Sequence, residues 1–285
     1  MTDELGAHVS TDGGVELSPW RAREIGAATF QIFTKQPNWW REPKVSDEKA
    51  ELFKSAVQVD EVRWTTSHDS YLINLASPDP VLWKRSFDSF RAEVERSERL
   101  GLDGVVTHPG NAVDGDLEAG LVRNAEGIGR ALSEVPGRVR ILLELTSGSG
   151  TTVGSTFERL AGIMDGIPSA LRVRVGVCFD TCHAYSAGYD LVGDYDGVWA
   201  RFSDVIGIER LGLIHLNDSR YPFASRKDRH EHIGEGSLGD VPFRRLMTDD
   251  RLATVPKILE TPKDGDAVAA DRRNLARLRA FREAS

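Results

Sequence analysis

The chain has almost no cysteine. Its 285 residues include two, Cys178 and Cys182, four apart in VGVCFDTCH. If that segment is a strand, its rise of ~3.3 Å per residue sets their Cα atoms about 13 Å apart, beyond the ~7 Å a disulfide spans. Both read as free thiols acting as small buried hydrophobes, the alternative being a minor place beside His183. Positive charge is also in deficit: 36 Lys plus Arg stand against 44 Asp plus Glu, a net charge of −8. That balance excludes holding nucleic acid or anionic lipid by bulk charge, so any anionic ligand must be gripped locally. No apolar run approaches the roughly 18 residues of a membrane span, and the opening MTDELGAHVS is acidic where a signal peptide is basic and then apolar. The expected location is the cytoplasm, without membrane contact. No phosphate loop occurs either. The glycine-rich SGSGTTVGST at 147–156 has neither a Gly-Lys-Ser/Thr ending nor G-x-G-x-x-G spacing, and reads as a mobile active-site loop. With no internal repeat, low-complexity tract or dividing linker, residues 1–285 are expected to form one domain.

What the chain does have is a recurring pattern. Short apolar runs rich in β-branched residues are each followed by a turn and a stretch of helical spacing. Eight stand out: Gly6–Ser10, Thr29–Phe33, Arg63–His68, Gly104–His108, Arg140–Thr146, Val175–Asp180, Leu211–Asn217 and Lys257–Thr261. Between them lie amphipathic segments such as Asp79–Leu100. There Val81, Leu82, Phe87, Phe90, Val94 and Leu100 share one face, Lys84, Arg85, Glu93, Glu95 and Arg99 take the other, and Gly101 supplies a C-cap. From the third run onward the strand ends recur about every 34 to 45 residues, the length of one strand, one helix and two loops. Eight such units predict an α/β protein, a closed (β/α)8 TIM barrel; an open doubly wound sheet is the alternative, and no dinucleotide fingerprint supports it.

All seven histidines, His8, His68, His108, His183, His215, His230 and His232, fall at the end of one of these runs or in the loop after it. In a barrel that is the catalytic face. Glu144, Asp180, Asp228 and Glu260 join them at the same level. A carboxylate following an apolar strand interior is costly to bury without a partner, and a cation is the simplest one. Imidazoles and carboxylates converging from different strands suit Zn2+, with Mn2+ or Fe2+ as competitors and cysteine taking no obvious part. So many candidate ligands exceed what one tetrahedral ion can use, which implies two or three metals.

These segments resemble the endonuclease IV family, the metal-dependent apurinic/apyrimidinic-site endonucleases, within the xylose-isomerase-like barrels. The similarity runs through GAHVSTDGG (6–14), FTK (33–35), HDSYLINLAS (68–77), HPG (108–110), LELTSGSG (143–150), CFDTCHAYSAGYD (178–190), HLNDS (215–219), DRHEHIGEG (228–236) and ILETP (258–262). The resemblance implies a trinuclear zinc centre that cuts double-stranded DNA on the 5′ side of an abasic site, leaving a 3′-hydroxyl and a 5′-deoxyribose phosphate. It places His68 and His108 on one zinc, with Glu144 bridging to a second that Asp180, His215 and Glu260 complete, and His183, Asp228 and His230 on the third. Glu260 would also orient or deprotonate the nucleophile. His8 and His232 receive no role, and no obligate protein partner is implied.

By the same resemblance, Tyr71 and Leu72 match the pair that wedges into the duplex beside the lesion. Lys35, Arg220, Arg226, Lys227, Arg229 and Lys263 lie in the loops where phosphates would pass. Three departures from the family pattern stand out: Asn38 in place of an arginine wedge, Leu145 and Ser149 in place of two amides after Glu144, and the pair Trp39-Trp40, which could stack on DNA or pack structurally. A sugar isomerase or epimerase of the same barrel class is the competing reading, since such enzymes also bind metal among His, Asp and Glu. They need one or two ions and have no use for the full ligand set. A non-catalytic binder of abasic DNA is a third reading, which retention of every ligand position disfavours.

Overall fold

The computed structural model describes residues 4–263 and 265–283. Eight parallel strands close into a barrel: β1 (Leu5–His8), β2 (Thr29–Phe33), β3 (Trp64–His68), β4 (Gly104–Thr107), β5 (Arg140–Glu144), β6 (Val175–Asp180), β7 (Leu211–His215) and, after a short ribbon, β10 (Lys257–Leu259), which returns to β1. The ribbon pairs β8 (Asp218–Ser219) with β9 (His230–Glu231) antiparallel, and it is held in the long β7 connection. The expected TIM barrel is therefore the observed one. Five of the runs extend past the last strand residue, because their final polar residues bend off the barrel into loops. The ladder persists one residue further at Leu145 and Leu216, whose amides donate to Cys178 and Ile258 carbonyls at 3.0 and 2.8 Å.

Helices α1 (Ser18–Glu24), α2 (Asp47–Val59), α3 (Pro80–Leu100), α4 (Leu117–Glu134), α5 (Phe157–Gly166), α6 (Thr181–Ala187), α7 (Tyr195–Val205) and α8 (Asp240–Thr248) fill the crossovers, and α9 (Ala267–Glu283) follows the last strand. Helix α3 begins where Asp79 accepts the amides of Val81 and Leu82, and it ends at Gly101 with φ 74°. Its apolar face is largely as read, with Phe87, Phe90, Val94 and Leu100 buried. Two residues change sides. Val81, in the first turn, lies in solvent, 76% exposed. Glu93 is fully buried, because Arg96 and Thr34 meet its carboxylate at 2.6 and 2.7 Å. No helix among the described residues is long and apolar enough to cross a membrane.

Side-chain alternation sorts each strand between two cores. The larger lies between barrel and helices. The smaller fills the lumen with Val106, Leu142, Cys178, Leu213 and Ile258, and Trp64 packs beneath it. Two positions further along the same lumen-facing rows come Glu144, Asp180, His215 and Glu260, and His68 lies four past Trp64. Cys182 sits on α6 instead of a continued strand, because the chain turns helical at Thr181; it and Cys178 are buried free thiols. Residues 147–156, expected to be mobile, are tied to the barrel: Thr146 and Thr152 hydroxyls meet at 2.8 Å, and the Val153 amide donates to the Gly110 carbonyl at 3.0 Å.

Candidate metal centre

Glu144 ends β5 with no solvent exposure, and histidines from four other segments converge on it. One oxygen lies 3.1 Å from His68 Nε2 and 3.0 Å from His108 Nε2. The other lies 3.2 Å from both His183 Nδ1 and His215 Nδ1. Asp180 and His215 are register partners on neighbouring strands, which sets His215 Nδ1 3.8 Å from Asp180 and 3.1 Å from Glu260. Asp180 also caps α6, accepting the His183 amide at 2.7 Å, so one residue fixes both the strand end and the first helical turn. His183 Nε2 then reaches Asp228 at 3.1 Å, and His230 Nε2 lies 3.4 Å from Asp228 and 3.7 Å from Asp180.

The donor atoms fall into groups compact enough to share an ion: His68, His108 and Glu144; Glu144, Asp180, His215 and Glu260; His183, Asp228 and His230. Cys182 also comes within range of Asp180 and His230, a proximity the sequence reading did not anticipate. Its thiol donates to the Arg229 carbonyl, and burial pushes its pKa up to about 12, which disfavours the thiolate.

The chemistry of this set fits cations. Four of the rings have one nitrogen fixed by an oxygen outside the cluster, which leaves the other directed at carboxylates. His68 Nδ1 meets the Asp69 carbonyl at 2.9 Å, His183 Nδ1 the Leu145 carbonyl at 3.0 Å, His230 Nδ1 the Glu260 carbonyl at 3.1 Å, and His215 Nε2 the Gln31 side-chain oxygen at 2.9 Å. His230 Nε2 is buried without a hydrogen-bond partner among the described residues. Among the described residues, every ion pair of the four carboxylates is with a histidine. Burial works against a charged His68, yet Glu144 and the neighbouring acids outweigh it and raise its pKa to about 10. His183 and His215 are raised in the same way. Burial opposes ionisation of Glu144 and Glu260, but the surrounding imidazoles lower both. Asp228 falls to about 2, chiefly against His183.

Three orienting residues escaped the sequence reading. Gln31 Nε2 donates to Glu260 at 2.6 Å and contacts His8 Nδ1 at 3.0 Å, which gives His8 a place beside the cluster. Asn217 donates to Asp180 at 2.7 Å and accepts the Glu260 amide at 2.8 Å. Buried Asp218 accepts the amides of Ser219, Gly234, Gly236 and Leu238 at 2.7 to 3.0 Å, folding the loop that carries Asp228 and His230. Gly236 is required there, since a Cβ would stand 2.4 Å from the Ser219 carbonyl oxygen. The signal for Gln31 was a polar residue in the apolar strand TFQIF.

The loop residues expected at DNA are dispersed. Tyr71, 56% exposed, stands at the rim with its ring 5.5 Å from His68 and 6.2 Å from His108. Leu72 beside it is half-buried, while Asn38 and Arg229 are exposed. Lys35 is buried, its ammonium held by Glu42 at 2.6 Å and Ser89 at 2.7 Å, so it does not stand free for a phosphate. Arg220 pairs with Glu231, Lys263 with Asp271, and Lys227 lies over the Tyr221 ring, while Arg226 is exposed. The tryptophans separate: Arg85 covers Trp40, and Trp39 is 60% exposed. His232 accepts from Asn274 away from the cluster. Beside Glu260 and His230 a cavity of about 650 Å³ opens, bounded by Phe33, Tyr71 and Lys263.

A closed parallel barrel with a histidine and carboxylate cluster at its C-terminal mouth defines a metalloenzyme of the TIM-barrel class, and residues 20–281 match the family model described as xylose isomerase-like TIM barrel. A Geobacter sulfurreducens protein named "Probable endonuclease 4" is 46% identical over 282 residues, 98% of this chain and 94% of its own length. The crystal structure of endonuclease IV from Thermus thermophilus superposes with a TM-score of 0.88 at 36% identity, covering 99% of both chains. The chain belongs to the endonuclease IV family. A D-tagatose 3-epimerase-like protein matches with a TM-score of 0.71 at 18% identity over 98% of both chains, a likeness of fold alone.

Proposed function

We propose that this chain, acting as one catalytic unit in the cytoplasm, hydrolyses the phosphodiester on the 5′ side of an abasic site in double-stranded DNA. The products are a 3′-hydroxyl and a 5′-deoxyribose phosphate. Three zinc ions would be held by His68, His108 and Glu144, by Glu144, Asp180, His215 and Glu260, and by His183, Asp228 and His230; Mn2+ or Fe2+ are possible substitutes. The observation that carries the reading is Glu144, whose two oxygens face four imidazoles from four different segments.

When bound, such ions neutralise phosphoryl charge and bring the pKa of water toward neutrality. The chain's own residues supply the rest. The attacking water oxygen forms a bond to phosphorus, the bond from phosphorus to the 3′ oxygen breaks, and a proton must leave the nucleophile while another reaches the departing oxygen. Glu260 is the candidate to orient or deprotonate the water, because its backbone is anchored by Asn217 and its carboxylate by Gln31. Glu144, placed among imidazoles, keeps its negative charge and can serve two groups at once. The cavity beside Glu260 offers room for a sugar turned out of the duplex. Tyr71 and Leu72 would fill the gap it leaves, with Arg229 and Asn38 on the approaching backbone. Lys35 would reach a phosphate only by exchanging Glu42 for it.

The test is a duplex carrying one tetrahydrofuran abasic analogue, incubated with and without chelator. Cleavage 5′ to the lesion, abolished by chelation and restored by zinc, is the expected result. An intact strand after zinc loading overturns the reading. Metal analysis separates the sugar isomerase alternative: about three ions per chain are expected, and a single ion would favour the isomerase.

A further inference from the structure

The opposite mouth of the barrel holds a second cavity, of about 500 Å³, lined by Glu4, Arg63, Trp64, Arg140, Leu211, Gly212 and the Thr254–Pro256 turn. The lumen layer of Val106, Leu142, Cys178, Leu213 and Ile258 separates it from the metal-side cluster. Two of the lining residues carry buried donors that lack acceptors among the described residues. Arg140 Nε and Trp64 Nε1 are both buried with no hydrogen-bond partner among the described residues. Such orphans are rare in folded proteins and call for a water or an ion.

Arg140 is the first residue of β5, two positions before Leu142 and four before Glu144, so alternation turns it into the lumen floor. Room for it comes from Gly176 on the neighbouring strand, where a Cβ would stand 2.6 Å from Arg140 Nη2. Burial and the nearby Arg210 both act against its charge, and the acid that lines the cavity, Glu4, is taken by Arg63 at 3.0 Å. A guanidinium does not give up its proton, so the charge stays, and among the described residues no ion pair balances it.

We propose that the N-terminal mouth of the barrel binds a phosphate-type oxyanion, gripped by the Arg140 guanidinium and the Trp64 indole N–H. An oxyanion supplies acceptors to both orphaned donors and balances the guanidinium, which pairs with phosphate through two parallel hydrogen bonds. The volume admits inorganic phosphate or the phosphate end of a small metabolite, and the site is independent of the nuclease reading.

Equilibrium dialysis of the metal-loaded protein with radiolabelled inorganic phosphate tests this, because phosphate taken up at the metals is common to all variants. Wild type is expected to bind one more phosphate per chain than Arg140→Gln. Trp64→Phe, which removes only the N–H, should weaken that extra site several-fold, and Arg140→Lys should weaken it about tenfold by replacing a fork with a point charge. Metal content and thermal unfolding identify any variant that fails to fold, and the two conservative variants carry the test if Arg140→Gln does. Equal phosphate stoichiometry and affinity in wild type and variants overturns the proposal and leaves water as the occupant.

Discussion

Gln31 accepts from His215 Nε2 at 2.9 Å through its side-chain oxygen, which forces its amide nitrogen toward the Glu260 carboxylate at 2.6 Å. One side chain from β2 thus sets the ring orientation of one proposed ligand and the carboxylate orientation of another. Gln31→Leu should leave the barrel folded and lower metal affinity by about 10- to 100-fold, the usual cost of losing an outer hydrogen bond to a ligand. Competition with a chelator of known affinity reads this directly, and wild-type affinity in the variant would contradict the role.

Glu144 faces both sides of the cluster, whereas the ion pairs of Asp228 among the described residues are with His183 and His230. Glu144→Gln is therefore expected to lose most of the bound metal and Asp228→Asn about one ion per chain. Elemental analysis of the purified variants distinguishes them; equal losses would mean that Glu144 does not bridge.

Asp218 gathers four backbone amides around a buried carboxylate. Asp218→Ala strands these donors, each worth about 1–3 kcal/mol if left buried and unpaired. A destabilisation above about 2 kcal/mol is expected in denaturant unfolding, together with loss of the metal held by His183, Asp228 and His230. Normal stability would show that water replaces the carboxylate.

Glu42 bridges Lys35 and Arg96. Burial opposes its ionisation, but the hydrogen bonds from Lys35 and Ser89 and the charge of Arg96 prevail, so its pKa lies below the ordinary 4.5. A lowered carboxylate pKa means stability that is fully present above the unfolded value and is lost as pH falls through the folded one. Glu42→Gln should thus lower Tm at pH 7, and the gap from wild type should narrow below about pH 4.5. Melting curves from pH 7 to 3 check the sign; a gap that widens in acid would refute it.

Trp40 lies under the Arg85 guanidinium at 4.3 Å, while its neighbour Trp39 is exposed. Trp40→Ala is expected to cost about 1 kcal/mol or more through lost cation–π contact and packing. Trp39→Ala should stay within about 0.5 kcal/mol of wild type, as surface changes do. Parallel thermal melts decide, and equal losses would assign both indoles to the fold.

Much of this protein is written locally. Apolar runs punctuated by Gly101 and by caps such as Asp79 mark strands and helices, because period and turn chemistry are properties of neighbouring residues. The nine histidines and carboxylates stand out for the same reason, as polar groups at the ends of apolar strands. The tertiary structure decided which of them meet, and what orients them. Gln31 and Glu260 are 229 residues apart and touch only because closing the barrel brings β2, β1 and β10 together. Glu93 and Lys35 look like surface charges along the chain, yet both are buried, because α3 and the loop after β2 supply each with a partner of opposite sign. Periodicity reports which face a residue lies on; whether a charge there is solvated or neutralised depends on what the rest of the chain brings against it.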